Sequence, residues 1–180
     1  MGEFYYTLVK LSIGQVGLVW QAGKVPVLSR VILPEAKKQT HSLILRNYPD
    51  ATPLHYAGID KICAALKKYD QGEDAAFPSD LFRFDSWGNF YKQVWIETRK
   101  IPWGKVNTYG EIAKKIGHPG AARAVGTALA KNPLPLIVPC HRVIRSKGEL
   151  GGFSAGDTNL KRRLLGKEGI IFDSRGRVIL

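Results

Sequence analysis

Cys140, His141 and Arg142 stand side by side in Ile137-Val138-Pro139-Cys140-His141-Arg142-Val143-Ile144, between two runs of apolar, β-prone residues. A thiol is a nucleophile only as its thiolate, and nearby cations favour that form. His141, and Arg142 if it folds back, would supply such a field. The prolines of Asn132-Pro133-Leu134-Pro135-Leu136 predict a stiff, extended lead-in to the cysteine. In an extended chain successive side chains point to opposite faces. Cys140 and His141 would then not touch, and a bridging water would have to connect them. The basic C-terminal half offers few acids, and Glu168 in Gly166-Lys167-Glu168-Gly169 is the candidate to orient the far side of His141. Between them, Gly148, Gly151, Gly152 and Gly156 surround Phe153 and Ser154. That composition suits a loop closing over a flat ligand, and equally a plain glycine-rich hairpin.

Upstream elements must carry this chemistry. Asn89 to Arg99 sets Phe90, Val94 and Trp95 at helical spacing, and Ile101-Pro102-Trp103-Gly104 stops the helix. Thr108 is placed to cap a helix from Tyr109 to Ile116, with Glu111 at the capping-box position. Gly117-His118-Pro119-Gly120 makes a turn, and Ala121 to Ala130 forms a second helix of small residues. Helix, glycine turn and helix is the helix-turn-helix pattern. Lys114 and Lys115 flank the turn, and Arg123 is the one large polar side chain near the start of the second helix. Small neighbours would let that backbone approach a groove closely. An alanine-rich helix packed on a core, with Arg123 solvated, would explain the same residues.

Charge separates these readings. The 180 residues carry a formal +12, with 44% hydrophobic and 23% charged residues. Met1 to Thr98 holds 11 Lys and Arg against 10 Asp and Glu, a net +1; Arg99 to Leu180 holds 16 against 5, a net +11. A neutral half followed by a strongly basic one points to a polyanionic partner for the second half.

The first half reads as short strands Phe4 to Val9, Gly17 to Gln21 and Val27 to Leu33, with turns at Gly14, Gly17 and Gly23-Lys24. Glu35 to Tyr48 reads as helical or mixed, broken by Pro49 to Pro53, and Ala57 to Tyr69 as a helix. The expected fold class is α/β of the α+β kind: a small N-terminal antiparallel sheet-plus-helix domain over 1–86, then a mostly helical domain over 87–180. The boundary is expected near Asp85 to Gly88. Cys63, with Ile59, Ile62 and Leu66, is expected as a small core residue. Two cysteines allow one disulfide, but nothing else suggests a secreted scaffold. No basic-plus-apolar leader or membrane-length apolar run is visible, and no Cys/His spacing fits zinc. These features predict a soluble protein of a reducing compartment, cytoplasmic in a prokaryotic cell or nuclear in a eukaryotic one.

The ordered motifs resemble the O6-alkylguanine-DNA alkyltransferases. The match comprises Ala122-Arg123-Ala124-Val125-Gly126, Asn132-Pro133, Pro139-Cys140-His141-Arg142-Val143, Gly151 to Ser154 and Glu168-Gly169. Trp95, Ile101 to Gly104 and Thr108-Tyr109 fall in register with it. The resemblance covers roughly 88–170 and is weaker before that. It implies that Cys140 accepts the alkyl group, activated through a water by His141, which Glu168 polarises, while Asn132 orders the turn before the site. It implies that Arg123 fills the gap left by a flipped nucleotide and that Tyr109 helps rotate it and donates to the purine. DNA or base contacts are further implied for Ala122, Thr127, Arg142, Val143, Gly151, Gly152, Phe153 and Ser154. The implied partner is double-stranded DNA carrying O6-alkylguanine, read from the minor groove by a monomer. No metal and no cofactor are implied, and the first domain would be ribonuclease-H-like. Phe153 stands where some members carry tyrosine, and Ala155 where some carry glycine. A non-catalytic damage binder of the same fold, a thiol hydrolase and a plain helix-turn-helix regulator are the competing readings.

Overall fold

The computed structural model describes residues 3–23, 26–35, 38–84 and 86–180. The turn expected at Gly23-Lys24 and the start of the 35–48 segment thus fall partly outside the described residues, as does Asp85. The chain divides into two compact units, Met1–Arg83 and Phe84–Leu180.

In the first unit, β1 (Phe4–Leu11), β2 (Gly14–Gln21) and β3 (Val27–Ile32) form an antiparallel run. Leu11 pairs with Gly14, so Ser12 and Ile13 make a two-residue hairpin; Gly14, at φ 125°, adopts a backbone that glycine tolerates. α1 (Thr40–Asn47) follows, then β4 (Thr52–Pro53) and α2 (Ala57–Asp70). The sheet order is β3-β2-β1-β4, and β4 pairs parallel to β1. That parallel edge departs from the purely antiparallel expectation. Two residues ending in proline carry no strand periodicity, and the pairing exists only because the chain returns beside Tyr5 and Tyr6. α1 packs on β2, with Ile44 so close to Gly17 that a Cβ there would lie 2.8 Å from its Cδ1. Tyr6, Val19, Ile44 and Ala51 form a core cluster on this side. On α2, Ile59, Ile62 and Leu66 are buried as expected, but Cys63 is only half-buried, at the edge of that stripe.

The second unit begins with α3 (Asn89–Arg99), whose Trp95 indole donates to the Ala128 carbonyl at 2.9 Å. β5 (Asn107–Thr108) leads directly into α4 (Tyr109–Lys115). The capping box forms as read: Thr108 Oγ1 accepts from the Glu111 amide, and the Glu111 carboxylate accepts from the Thr108 amide at 2.6 Å. α5 (Ala122–Ala130) packs against α3 and α4. Its Val125, Ala128 and Leu129 face inward, while Arg123, Ala124, Thr127 and Ala130 are exposed. β6 (Val143–Ile144) pairs parallel with β5. α6 (Thr158–Lys167) starts on Asp157, whose side chain accepts from the Leu160 amide at 2.7 Å. Residues 172–178 close on themselves through a Phe172–Val178 bridge.

Two local expectations fail in the stretch that carries the motif. Residues 132–139 are not an extended lead-in. They turn tightly, with the Val138 amide donating to the Leu134 carbonyl at 2.8 Å and Leu136 held at φ 73°, unusual for a residue with a branched side chain. Cys140–Arg142 is a 3-10 turn rather than part of an extended chain. The Arg142 and Val143 amides donate to the carbonyls of Pro139 and Cys140. At three residues per turn, neighbouring side chains diverge by about 120° rather than 180°, so the opposite-face argument for Cys140 and His141 does not apply.

Candidate active site

Asn132 is the residue that shapes the turn before Cys140. Its Oδ1 accepts from the Leu134 amide at 2.9 Å, and its Nδ2 donates to the Val138 carbonyl at 2.9 Å and to Cys140 Sγ at 3.2 Å. One buried amide thus closes the loop and touches the sulfur. Cys140 is 6% exposed and lies against a cleft of about 770 Å³. α5 supplies Ala122, Arg123, Gly126, Leu129 and Ala130 to this cleft, and α4 supplies Tyr109 and Gly110. Gly152, Phe153 and Ser154 line it from the glycine-rich segment, with Arg145, Lys147 and Glu149 beside them. The thiol is therefore reached through a wall made by the second helix of the helix-turn-helix.

Behind the sulfur, His141 and Glu168 are buried. His141 Nε2 lies 2.6 Å from Glu168 Oε1. Arg142 grips the same carboxylate with Nε at 2.8 Å and Nη2 at 3.1 Å, and its Nη1 donates to the Ile101 carbonyl at 2.7 Å. Glu168 thus orients His141, while Arg142 is spent on Glu168. Arg142 is not folded back on the sulfur: Nε, Nη1 and Nη2 each donate to Glu168 or to the Ile101 carbonyl.

The electrostatics follow from burial. Burial pushes the Cys140 thiol above its usual range, opposed by the Asn132 hydrogen bond and the charge of Lys161. Burial pushes His141 down, only partly countered by its bond to Glu168. Burial would raise Glu168, yet the hydrogen bonds from His141 and Arg142 hold it at about 2. A carboxylate beside an always-charged guanidinium stays ionised. The resting site is thus a protonated thiol with a neutral imidazole and an anionic carboxylate, not the cation-activated thiolate that the sequence suggested.

The other expected positions divide. Tyr109, Ala122, Arg123, Gly152, Phe153 and Ser154 line the cleft. Ser154 Oγ donates to the Ala130 carbonyl at 2.9 Å, tying the glycine-rich segment to α5. Gly151, at φ 69°, lies behind Tyr109, where a Cβ would be 3.3 Å from the phenol oxygen. Val143 does not face the cleft: it is buried in β6, and its carbonyl accepts from Lys161 Nζ at 2.7 Å. Thr127 lies on the exposed face of α5 one turn beyond Arg123, its hydroxyl bonded to the Arg123 carbonyl. Among the described residues no cluster of three or more His, Cys, Asp or Glu side chains fits a metal, and no helix is long and apolar enough to cross a membrane. Both cysteines are free.

Sequence reading missed Lys161, Arg145 and Lys147. Lys161 falls in α6, which Asp157 and the spacing of Leu160, Leu164 and Leu165 announce. A lysine on that apolar stripe was the available signal.

A helix-turn-helix whose second helix walls a cleft over a buried cysteine sets a thiol nucleophile beside a DNA-binding motif. The comparisons agree. Residues 89–170 match the DNA-binding domain of 6-O-methylguanine DNA methyltransferase. The chain is 37% identical to the methylated-DNA–protein-cysteine methyltransferase of Methanosarcina acetivorans, over 92% of this chain and 98% of that one. It is 38% identical to the same-named protein of Mycolicibacterium paratuberculosis, over 85% and 87% of the two chains. A crystal structure of Mycobacterium tuberculosis OGT in complex with DNA matches with a TM-score of 0.72 at 38% identity, covering 91% of this chain and 92% of that chain. The chain belongs to the methylated-DNA–protein-cysteine methyltransferase family.

Proposed function

We propose that this protein repairs DNA by moving the alkyl group from O6 of guanine to Sγ of Cys140, once per molecule. The placement of Cys140 in a cleft walled by α5 carries this reading. His141 takes the thiol proton through a bridging water, and Glu168 stabilises the imidazolium that results. The thiolate attacks the saturated carbon, the S–C bond forms, and the C–O pair leaves on the guanine oxygen. The guanine anion takes a proton from the Tyr109 hydroxyl, the imidazolium's proton passes through water to restore the tyrosine, and the chemistry needs no cofactor. The product is a thioether that none of these residues can hydrolyse, so the molecule is spent.

α5 is proposed to lie in the minor groove, where its small exposed residues allow close approach. Arg123 occupies the gap left by the extruded nucleotide. The protein acts as a monomer on double-stranded DNA, with O4-alkylthymine as a second substrate. Cytoplasmic location in a prokaryotic cell, or nuclear in a eukaryotic one, suits two free cysteines.

Intact mass before and after incubation with duplex DNA carrying O6-methylguanine tests the reading. One methyl gained, mapped to the Cys140 peptide and lost in Cys140→Ser, is expected. A label on Cys63 would overturn the assignment. DNA binding with no mass change would favour the non-catalytic binder, and multiple turnover on an ester would favour a thiol hydrolase.

A further inference from the structure

Lys161 is the one side chain around the site whose cost the reading above does not explain. It is 0% exposed in α6, among Leu160, Leu164 and Leu165. Its ammonium donates to the Val143 carbonyl at 2.7 Å and the Leu150 carbonyl at 2.6 Å, and to no described carboxylate. A buried cation without an anionic partner is expensive, and an apolar side chain of the same length would avoid that expense. Two features show where the charge is directed. Val143 and Leu150 bracket the segment that presents Arg145, Ser146, Lys147 and Glu149 to the cleft. The ammonium also lies 5.9 Å from the centre of the Tyr109 ring, and Tyr109 lines the cleft with Cys140.

We propose that Lys161 is a positioning residue for alkyl transfer: from behind the cleft its buried ammonium ties β6 to the glycine-rich segment and is the fixed counter-charge to the Cys140 thiolate as it forms. The proposal rests on Cys140 being the acceptor. Arg142 is neutralised by Glu168, and His141 is neutral at rest, so neither gives the nascent thiolate a standing positive charge. Lys161 does, and its field lowers the Cys140 thiol against the burial that raises it. The titratable groups around Lys161 are Cys140 and His141 on the 3-10 turn and Tyr109 on α4, and the charged one is Arg145 after β6. Burial, reinforced by Arg145, brings Lys161 down to about 8, and a Cys140 anion pushes it back up. At neutral pH the ammonium is therefore charged, and the anion that would complete it appears only when Cys140 ionises.

The test is the pH dependence of Cys140 labelling by iodoacetamide, read on the Cys140 peptide in the DNA-free protein, for wild type, Lys161→Met and Lys161→Arg. An opposite charge at short range moves a pKa by about 1 to 3 units. Lys161→Met should therefore raise the labelling midpoint by about one unit or more and slow labelling at pH 7.5 about tenfold, while Lys161→Arg keeps the wild-type midpoint. A purely structural clamp would leave the midpoint of a folded Lys161→Met protein unmoved, and that result overturns the proposal. Reciprocal coupling gives a reading on the wild type without any substitution. The Lys161 ammonium, followed by NMR, should titrate at lower pH once Cys140 carries an alkyl group, and an unchanged titration overturns the proposal. Methyl transfer mapped to a residue other than Cys140 would sink the acceptor assignment separately.

Discussion

Asn132 Nδ2 sits 3.2 Å from Cys140 Sγ and 2.9 Å from the Val138 carbonyl, so the amide that closes the loop also solvates the nucleophile. Asn132→Ala leaves the buried Leu134 amide without its partner, while the Val138 carbonyl keeps the Cys140 amide at 2.7 Å. An orphaned buried group costs about 1 to 3 kcal/mol. Urea unfolding should therefore show a loss of about 1 to 3 kcal/mol. The Cys140 labelling midpoint should also rise, because a hydrogen bond to the thiolate is gone. Wild-type stability in Asn132→Ala would show that the loop closes without it.

Arg123 is exposed on α5 and lines the cleft above Cys140. Arg123→Ala should slow transfer from alkylated duplex by at least about tenfold, roughly one lost charged hydrogen bond, and leave reaction with free O6-benzylguanine near wild type. The free base needs no extrusion from a stack. Equal losses on both substrates would move Arg123 from extrusion to the chemistry or to folding.

The net +11 over residues 99–180 should appear as counterion release. Duplex affinity should fall linearly in log-log form with salt, by about 0.9 in slope per neutralised phosphate. It should depend little on sequence. Charge-neutralising Lys114 and Lys115, which end α4 beside the turn, should make the slope shallower. A flat salt response in wild type would show that this surface is not the DNA footprint.

His141 and Glu168 set the acid limit of stability. The folded value of His141 lies below its ordinary 6.5, so the unfolded chain takes up the proton first and stability falls as pH drops below that value. Glu168 is held at about 2 instead of 4.5, so its contribution is complete above 4.5 and is lost as pH falls towards 2. The Glu168 contribution is on the order of 3 kcal/mol. Denaturant midpoints from pH 7 to pH 2 should show both losses. Glu168→Gln should be destabilised at pH 7, where Arg142 loses its anion, and the difference from wild type should shrink towards pH 2. A constant difference across that range would remove Glu168 as the titrating group.

The sequence by itself determined what depends on neighbouring residues and on composition. The capping box of Thr108 and Glu111, the glycine turn, the small-residue helix with Arg123 and the charge asymmetry are local or additive, and the structure carries them unchanged. The resemblance carried by the order of motifs pointed to His141, Glu168 and Asn132, and the structure places Asn132 against the Cys140 sulfur and Glu168 against His141. Tertiary structure decided where side chains point once distant segments meet. Arg142 turns to a carboxylate 26 residues away because a buried Glu168 needs a permanent cation and a buried guanidinium needs an acceptor. Cys140 and His141 sit on a 3-10 turn because Asn132 closes the loop across six residues, a bond no strand periodicity encodes. Lys161 is buried because α6 packs behind the cleft, and only there do the carbonyls of Val143 and Leu150 converge on its ammonium. The protonation state of the site follows from that burial. The sequence supplies the ionisable groups, and the packed interior decides which of them keep their charge.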